Sequence, residues 1–292
     1  MKRIRIMISS LLFLSLLIVT TSCSSKTSND QFDASRIINV ISREDGSGTR
    51  GAFIDLLGIE FKKNNGATKD MTTKEAIIAK QTDVMMINIA GDKYAIGYIS
   101  LGSLNNTIKA VPINGVIPSA ENIKNGNYLI TRPFNIATQG EPDGLEKDFI
   151  DFILSADGQK IISQSYINIA DNAIPYPANK PSGKIVVAGS SSIAPIMEKL
   201  KEVYLQQNPN AAIEIQQSDS SAGMNGVIEG TCDIGMASRE LKNSELSELT
   251  PIRIALDGIV IIVNNDNPII TLTTEQVRSI FTGEIETWSE VQ

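Results

Sequence analysis

The 292-residue chain has no histidine, two cysteines, one tryptophan and only 5% aromatic residues. Without histidine there is no Ser/His/Asp or Cys/His nucleophilic arrangement, no zinc site built on imidazole, and none of the commonest general base. Positive charge is the minority: 26 Lys and Arg stand against 33 Asp and Glu, a net charge of −7. That sign argues against a nucleic-acid partner, whose footprint is a basic patch. Apolar residues make up 42% and charged residues 20%, ordinary values for a globular protein. The composition leans toward a binding protein that is not an enzyme. At roughly 150 residues per domain, the length suggests two domains.

The N-terminus accounts for one cysteine. Lys2, Arg3 and Arg5 precede an apolar run from Ile6 to Val19, and Thr20-Thr21-Ser22 lead to Cys23. This order reads as an export signal over residues 1–22. The apolar run of about 14 positions falls short of the ~20 that span a bilayer. The segment resembles a bacterial lipoprotein signal, in which cleavage precedes a cysteine that becomes lipid-modified; Thr20 departs from the aliphatic residue usual there. The resemblance implies a protein exported and anchored through Cys23 to the outer face of the bacterial cytoplasmic membrane. Removing residues 1–22 leaves 23 − 33 = −10 in charge. With Cys23 acylated, Cys232 has no disulfide partner and reads as a small buried residue. Residues 23–36, rich in Ser, Thr, Asn and Asp, read as a flexible tether.

From Ile37 onward strands alternate with amphipathic helices. Strands are expected at 37–41, 95–100, 184–188, 212–215 and 258–263. Ile193, Ile196, Met197, Leu200, Val203 and Tyr204 lie on one helical face, as do Leu145, Phe149, Phe152 and Ile153. Thr273-Thr274-Glu275-Gln276 has the form of a capping box before Val277, Ile280 and Phe281. The pattern predicts an α/β fold of two open, mostly parallel sheets flanked by helices.

Three strand-to-helix turns carry the chemistry: Arg43-Glu44-Asp45-Gly46-Ser47-Gly48-Thr49-Arg50, Gly189-Ser190-Ser191-Ser192, and Ser218-Asp219-Ser220-Ser221-Ala222-Gly223. Helix starts offer unpaired N–H groups and the positive end of the dipole; glycine admits close approach and hydroxyls add donors. Any one of these turns also reads as an ordinary helix cap. Three at equivalent junctions, one bearing two arginines, favour an oxyanion site. None is a Walker A loop or GxGxxG. Eight hydrogen bonds to a charged group, at about 1.5–3 kcal/mol each, exceed association costs of ~4–15 kcal/mol well enough for micromolar binding.

VVAGSSSIAPIMEKL (186–200), QQSDSSAGMNGVIEGTCDIGMASREL (216–241), ALDGIVIIVNNDNPI (255–269), LTTEQVRSIFTGEIETWSEV (272–291) and ISREDGSGTRGAF (41–53), with AIGYISL (95–101) and LITRPFNIATQG (129–140), resemble the phosphate-binding proteins of phosphate ABC transporters. The resemblance covers nearly all of 37–292. It implies a two-lobed periplasmic-binding-protein-like fold of type II, with the ligand cleft between lobes. In that family the GSSS stretch comes first and the TWSEV-like segment leads into the strand before SREDGSGTR. The order here therefore resembles a circular permutation; a degraded tandem fusion gives the same order. Lobe A is expected from 37–118 and 262–292, and lobe B from 119–261.

Site roles follow the resemblance. Arg43 pairs with the phosphate, and Asp45 orients that arginine and is one candidate acceptor for the phosphate proton. Ser47, Gly48 and Thr49 donate, as do Ser191, Ser192 and Ser220. Ser238 stands where some members place a proton-accepting aspartate, which leaves Asp45 and Asp257 as candidates. Asp257 otherwise reads as a solvated or turn-forming residue. Arg239 either contacts the ligand or bridges the lobes, and Trp288 reads as packing. The resemblance implies inorganic phosphate as ligand, a membrane permease as partner, no cofactor or metal, no nucleic acid, and a monomer. The alternatives are another oxyanion (sulfate, molybdate, tungstate or a phosphonate), or a phosphate sensor without transport.

Overall fold

The computed structural model describes residues 31–62, 68–170 and 172–291. The signal segment and Cys23 lie outside them. Residues 33–292 form one compact unit. In chain order its elements are β1 (Asn39–Arg43), α1 (Gly48–Leu56), β2 (Glu60–Lys62), β3 (Thr68–Asp70), β4 (Ile77–Ala79), α2 (Thr82–Gly91), β5 (Ala95–Ser100), β6 (Lys109–Ala110), α3 (Ala120–Lys124), β7 (Thr131–Thr138), α4 (Gly144–Leu154), α5 (Ala156–Ile162), β8 (Gly183–Ser190), α6 (Ala194–Gln207), β9 (Ala211–Ser218), α7 (Ser220–Ile228), β10 (Ile234–Ala237), α8 (Asn243–Leu246), β11 (Thr250–Val263) and α9 (Thr274–Thr282).

Two separate, mostly parallel sheets were expected; the structure has one continuous mixed sheet in the order β4-β1-β5-β11-β7-β10-β8-β9, with β6 also on β11 and a separate β2–β3 ribbon. The difference lies in β11. Its first nine residues pair antiparallel with β7 as far as Gly258–Thr131, and its last five pair antiparallel with β5 from Ile259–Ser100. A 14-residue strand thus serves both halves. Only its second part is a continuous apolar run; Pro251 and Arg253 break the pattern in the first. Parallel pairing is kept where strands feed helices, in β1–β4, β1–β5, β8–β9 and β8–β10.

Each half has its own core. Ile41, Met85, Ile89, Ile99, Val260 and Ile262 pack one side of the β1/β5 half. Phe149, Phe152, Ile196, Met197, Leu200 and Tyr204 lead a larger cluster in the β8 half. Within it the buried carboxylate of Asp148 accepts from Tyr176, Tyr204 and Asn179, fastening the Pro-rich connection to α4 and α6. Gly189 and Gly223 let α7 lie against β8: a Cβ on Gly223 would stand 2.6 Å from the Gly189 Cα. This approach sets the start of α7 beside the end of β8.

The chain ends of this unit meet. Ile38 N–H donates to the Glu286 carbonyl and Ser289 N–H to that of Ala34, and Ile37 forms an antiparallel bridge with Thr287. Trp288 is buried and donates to the Tyr94 carbonyl. No described helix is long and apolar enough to cross a membrane.

Candidate functional site

Four helices start where parallel strands end: α1 after β1, α2 after β4, α6 after β8 and α7 after β9. Ligands of open α/β sheets sit outside the carboxyl ends of strands. Ser47 caps α1 by accepting from Arg50 N–H, and Asp219 caps α7 by accepting from Ala222 N–H. Side chains at these starts meet across the two halves.

At the centre is Arg43, 2% exposed. Its Nε and Nη2 donate to the two carboxylate oxygens of Glu44, both at 2.8 Å, and Nε also reaches the Ala79 carbonyl. Its remaining contacts are hydroxyls: Nη1 to Thr82 Oγ1 at 3.3 Å and Nη2 to Ser191 Oγ at 3.0 Å. Thr49 Oγ1 lies 2.9 Å from Ser192 Oγ, and Thr82 Oγ1 lies 3.2 Å from Ser191 Oγ. These contacts join α1 and α2 of one half to the β8–α6 turn of the other. Beside them, a Cβ on Gly48 would stand 2.3 Å from Ser220 Oγ and 2.8 Å from Ser238 Oγ. Glycine is what lets the start of α1 approach those serines. Ser221 N–H also donates to the Gly46 carbonyl at 3.2 Å.

Ser47, Thr49, Ser191, Ser192, Ser220 and Ser238 are all buried. Ser238 N–H donates to Ser220 Oγ at 3.1 Å, and its carbonyl accepts from Arg132. Its own Oγ is buried with no hydrogen-bond partner among the described residues. Leaving a buried hydroxyl unpaired costs ~1–3 kcal/mol, so such an atom beside a cluster of donors invites a ligand.

Two roles require correction. The carboxylate on Arg43 is Glu44, not Asp45. The Asp45 side chain is 96% exposed and pairs with Arg50, which also binds Asp70 and donates to the Arg43 carbonyl. A single step along a tight turn reverses which neighbour faces inward, and spacing alone does not reveal it. Asp257 is neither solvated nor free. It is fully buried opposite Arg132 on β7, with Oδ2 3.0 Å from Nη2 and Oδ1 accepting from Ser100. Burial pushes its carboxyl up to about 6 despite the arginine. Arg239 is committed inside its own half, to Glu245, the Glu240 carbonyl and Ser221; its stem alone nears α1, 3.6 Å from a Gly51 Cβ. Cys232 is buried, and desolvation raises its thiol to about 11.

Thr82 and Glu44 are the residues that sequence reasoning missed. Glu44 was in view inside the Arg43 turn. Thr82 opens α2 behind Gln81, which makes no side-chain cap, and β4 before it is three residues long; neither gives a periodic signal.

Residues 25–157 and 175–292 match the PBP superfamily domain. A protein of Streptococcus agalactiae called "Phosphate-binding protein PstS 2" is 48% identical over 267 residues, 90% of this chain and 91% of that one. A Streptococcus pneumoniae protein of the same name is 41% identical over 93% of each chain. The crystal structure of a phosphate ABC transporter phosphate-binding protein from Streptococcus pneumoniae is 42% identical and superposes with a TM-score of 0.70, covering 88% of this chain and 100% of that one. By sequence and by fold, this chain belongs to the PBP superfamily, within a branch whose curated relatives are PstS phosphate-binding proteins.

Proposed function

We propose that this protein is an extracytoplasmic receptor that binds inorganic phosphate and delivers it to the permease of a phosphate ABC transporter. The observation that carries the reading is the meeting of Arg43 with hydroxyls from both halves at the starts of three helices, α1, α2 and α6. Arg43 supplies the charge-assisted hydrogen bonds. Ser47, Gly48, Thr49, Thr82, Ser191, Ser192, Ser220 and Ser238 supply the remaining donors, and the helix dipoles add positive potential. The phosphate-binding names of the full-length relatives agree with this assignment.

Delivery needs an open and a closed state. The partner switch in β11 at Gly258–Ile259, with the connection from β6 to β7, is the natural hinge; it falls before the 261/262 boundary expected between lobe B (119–261) and lobe A (37–118 and 262–292), because Ile259–Ile261 pair with β5. Hydroxyl pairs such as Thr49–Ser192 would part on opening. Cys23 is the lipid attachment point in this reading, and the protein acts as a monomer with no catalytic step. The segment order is a circular permutation of the wider fold. What supports this is that residues near the two ends of the unit hydrogen-bond to each other, as joining the ends of the wider fold requires.

The test is titration calorimetry with phosphate on residues 24–292, stripped of ligand by unfolding and refolding. Micromolar or tighter binding with one site per chain is the expected result. No heat and no thermal stabilisation at millimolar phosphate would remove the reading.

A further inference from the structure

Arg43 serves an anion only while its main chain aims the side chain into the cluster, and that main chain is held by side chains. The β1–β5 ladder stops at Val40–Ile96, although β5 runs on beside β11 as far as Ser100. The Arg43 N–H lies beyond that last pair and donates to the Tyr98 hydroxyl at 3.1 Å. The Arg43 carbonyl accepts from Arg50 Nη1 at 2.7 Å. A buried backbone N–H requires an acceptor, and here a phenol supplies what a neighbouring strand would.

Tyr98 also touches the other contributor from this half. It is fully buried, and its ring stacks on Phe53 of α1, with centroids 3.9 Å and planes 11° apart. Phe281 of α9 closes the aromatic cluster, 5.5 Å from Tyr98. The Tyr98 hydroxyl shares a hydrogen with Ser42 Oγ at 2.9 Å. Burial pushes the phenol above its ordinary value, so it stays protonated. One side chain thus fixes the main chain of Arg43 and, through Phe53, the helix whose start carries Ser47, Gly48 and Thr49.

We propose that Tyr98 is a positioning residue for anion binding: without touching the ligand, its hydroxyl holds the Arg43 main chain in the arrangement from which the guanidinium reaches the hydroxyls of both halves. The inference rests on the anion-site reading above. With the phenolic oxygen gone, the Arg43 N–H has to find another acceptor and the turn after β1 relaxes in the free protein. The anion then has to restore the turn, and affinity falls by that ordering cost.

Tyr98→Phe keeps the ring stack and removes only the hydroxyl. Its phosphate Kd, measured by calorimetry on ligand-stripped protein, is expected to rise about tenfold. Phe281→Leu trims the same cluster without touching Arg43; it is expected to lower the urea midpoint and leave the phosphate Kd within twofold. Exchange of the Arg43 amide, followed by NMR, should quicken at least tenfold in Tyr98→Phe and keep pace with the other β1 amides in Phe281→Leu. A Kd changed less than twofold in Tyr98→Phe, an Arg43 amide as protected as in the wild type, or an equal loss of affinity in Phe281→Leu overturns the proposal while the receptor reading stands. Wild-type protein that binds no phosphate removes both. Should Tyr98→Phe fail to fold, Ser42→Ala serves: it frees the phenol to turn away from Arg43 and is expected to raise the phosphate Kd about threefold with faster Arg43 exchange, and no change in either contradicts the proposal.

Discussion

Two buried arginines, one in each half of the molecule, show how the same side chain is used for different ends. Arg132 on β7 gives Nε and Nη2 to Asp257 directly across the ladder and Nη1 to the Ser238 carbonyl. Each of these hydrogen bonds is to a carboxylate or carbonyl fixed by the fold. Arg43 gives Nε to Glu44 and to the Ala79 carbonyl and Nη2 to Glu44, but Nη1 rests on Thr82 and Nη2 also on Ser191, hydroxyls that can turn to another partner. Arg132 closes the junction where β11 changes partner, whereas Arg43 keeps donors in reserve. A buried charge whose partners are rotatable hydroxyls from two separate halves is placed for a ligand, and one whose partners are fixed acceptors is placed for the fold.

That contrast can be broken at several points. Arg43→Met removes about two charge-assisted hydrogen bonds to the anion, ~3–6 kcal/mol, so phosphate affinity should fall by about 10²–10⁴ in calorimetry. A fall of less than threefold would place the ligand elsewhere. Arg132→Met should act on the fold instead. It strands Asp257 in the interior at a cost of ~3–5 kcal/mol, read as a lower urea midpoint; a midpoint unchanged within error would show that the pair is dispensable.

The same pair gives a pH signature. In the native state burial raises the Asp257 carboxyl from 3.8 to about 6. The folded protein therefore holds a proton that the unfolded chain releases, and stability contributed by this group is lost as pH rises from about 4 to about 6, by up to about 3 kcal/mol. Subtracting the profile of Asp257→Asn should isolate this decline. A difference that is flat, or that rises with pH, would mean the carboxylate is ionised throughout that window.

Smaller effects sharpen the map of the Arg43 side. Thr82→Ala should weaken phosphate by about 10–100-fold, since its hydroxyl is one of the anion's donors. Asp45→Asn, at an exposed pair with Arg50, should change affinity less than twofold, since such pairs contribute ~0–1 kcal/mol. If Asp45→Asn proved the more damaging of the two, the assignment of Glu44 as Arg43's carboxylate partner would be wrong.

Much of this architecture was legible beforehand. The 95–100 strand, the amphipathic helices around 145–153 and 193–204, and the capping box at Thr273 follow from periodicity and cap chemistry; the Thr273–Gln276 box forms in full. The glycine- and serine-rich turns fell at strand–helix junctions because small hydroxyl residues are what such junctions need. Mixed strand direction was not legible. Thr250 to Arg253 are exposed or half-buried, and Pro251, Arg253 and Asp257 interrupt the apolar residues, so half of β11 carries no continuous apolar signal. Nor was the interior pairing of Arg132 with Asp257, residues 125 positions apart whose meeting depends on the β7–β11 register. Thr82 shows the same limit at short range, since its place in the site depends on where β4 lies beside β1.

A crystal structure of the phosphate-saturated protein would measure the ligand's place directly. The expected result is a tetrahedral anion enclosed between the halves, within hydrogen-bond distance of Arg43 Nη2 and of hydroxyls from both halves, Thr49 and Ser191 among them. An anion bound by one half alone, or away from Arg43 altogether, would contradict the reading of Arg43 as the arginine kept for the ligand.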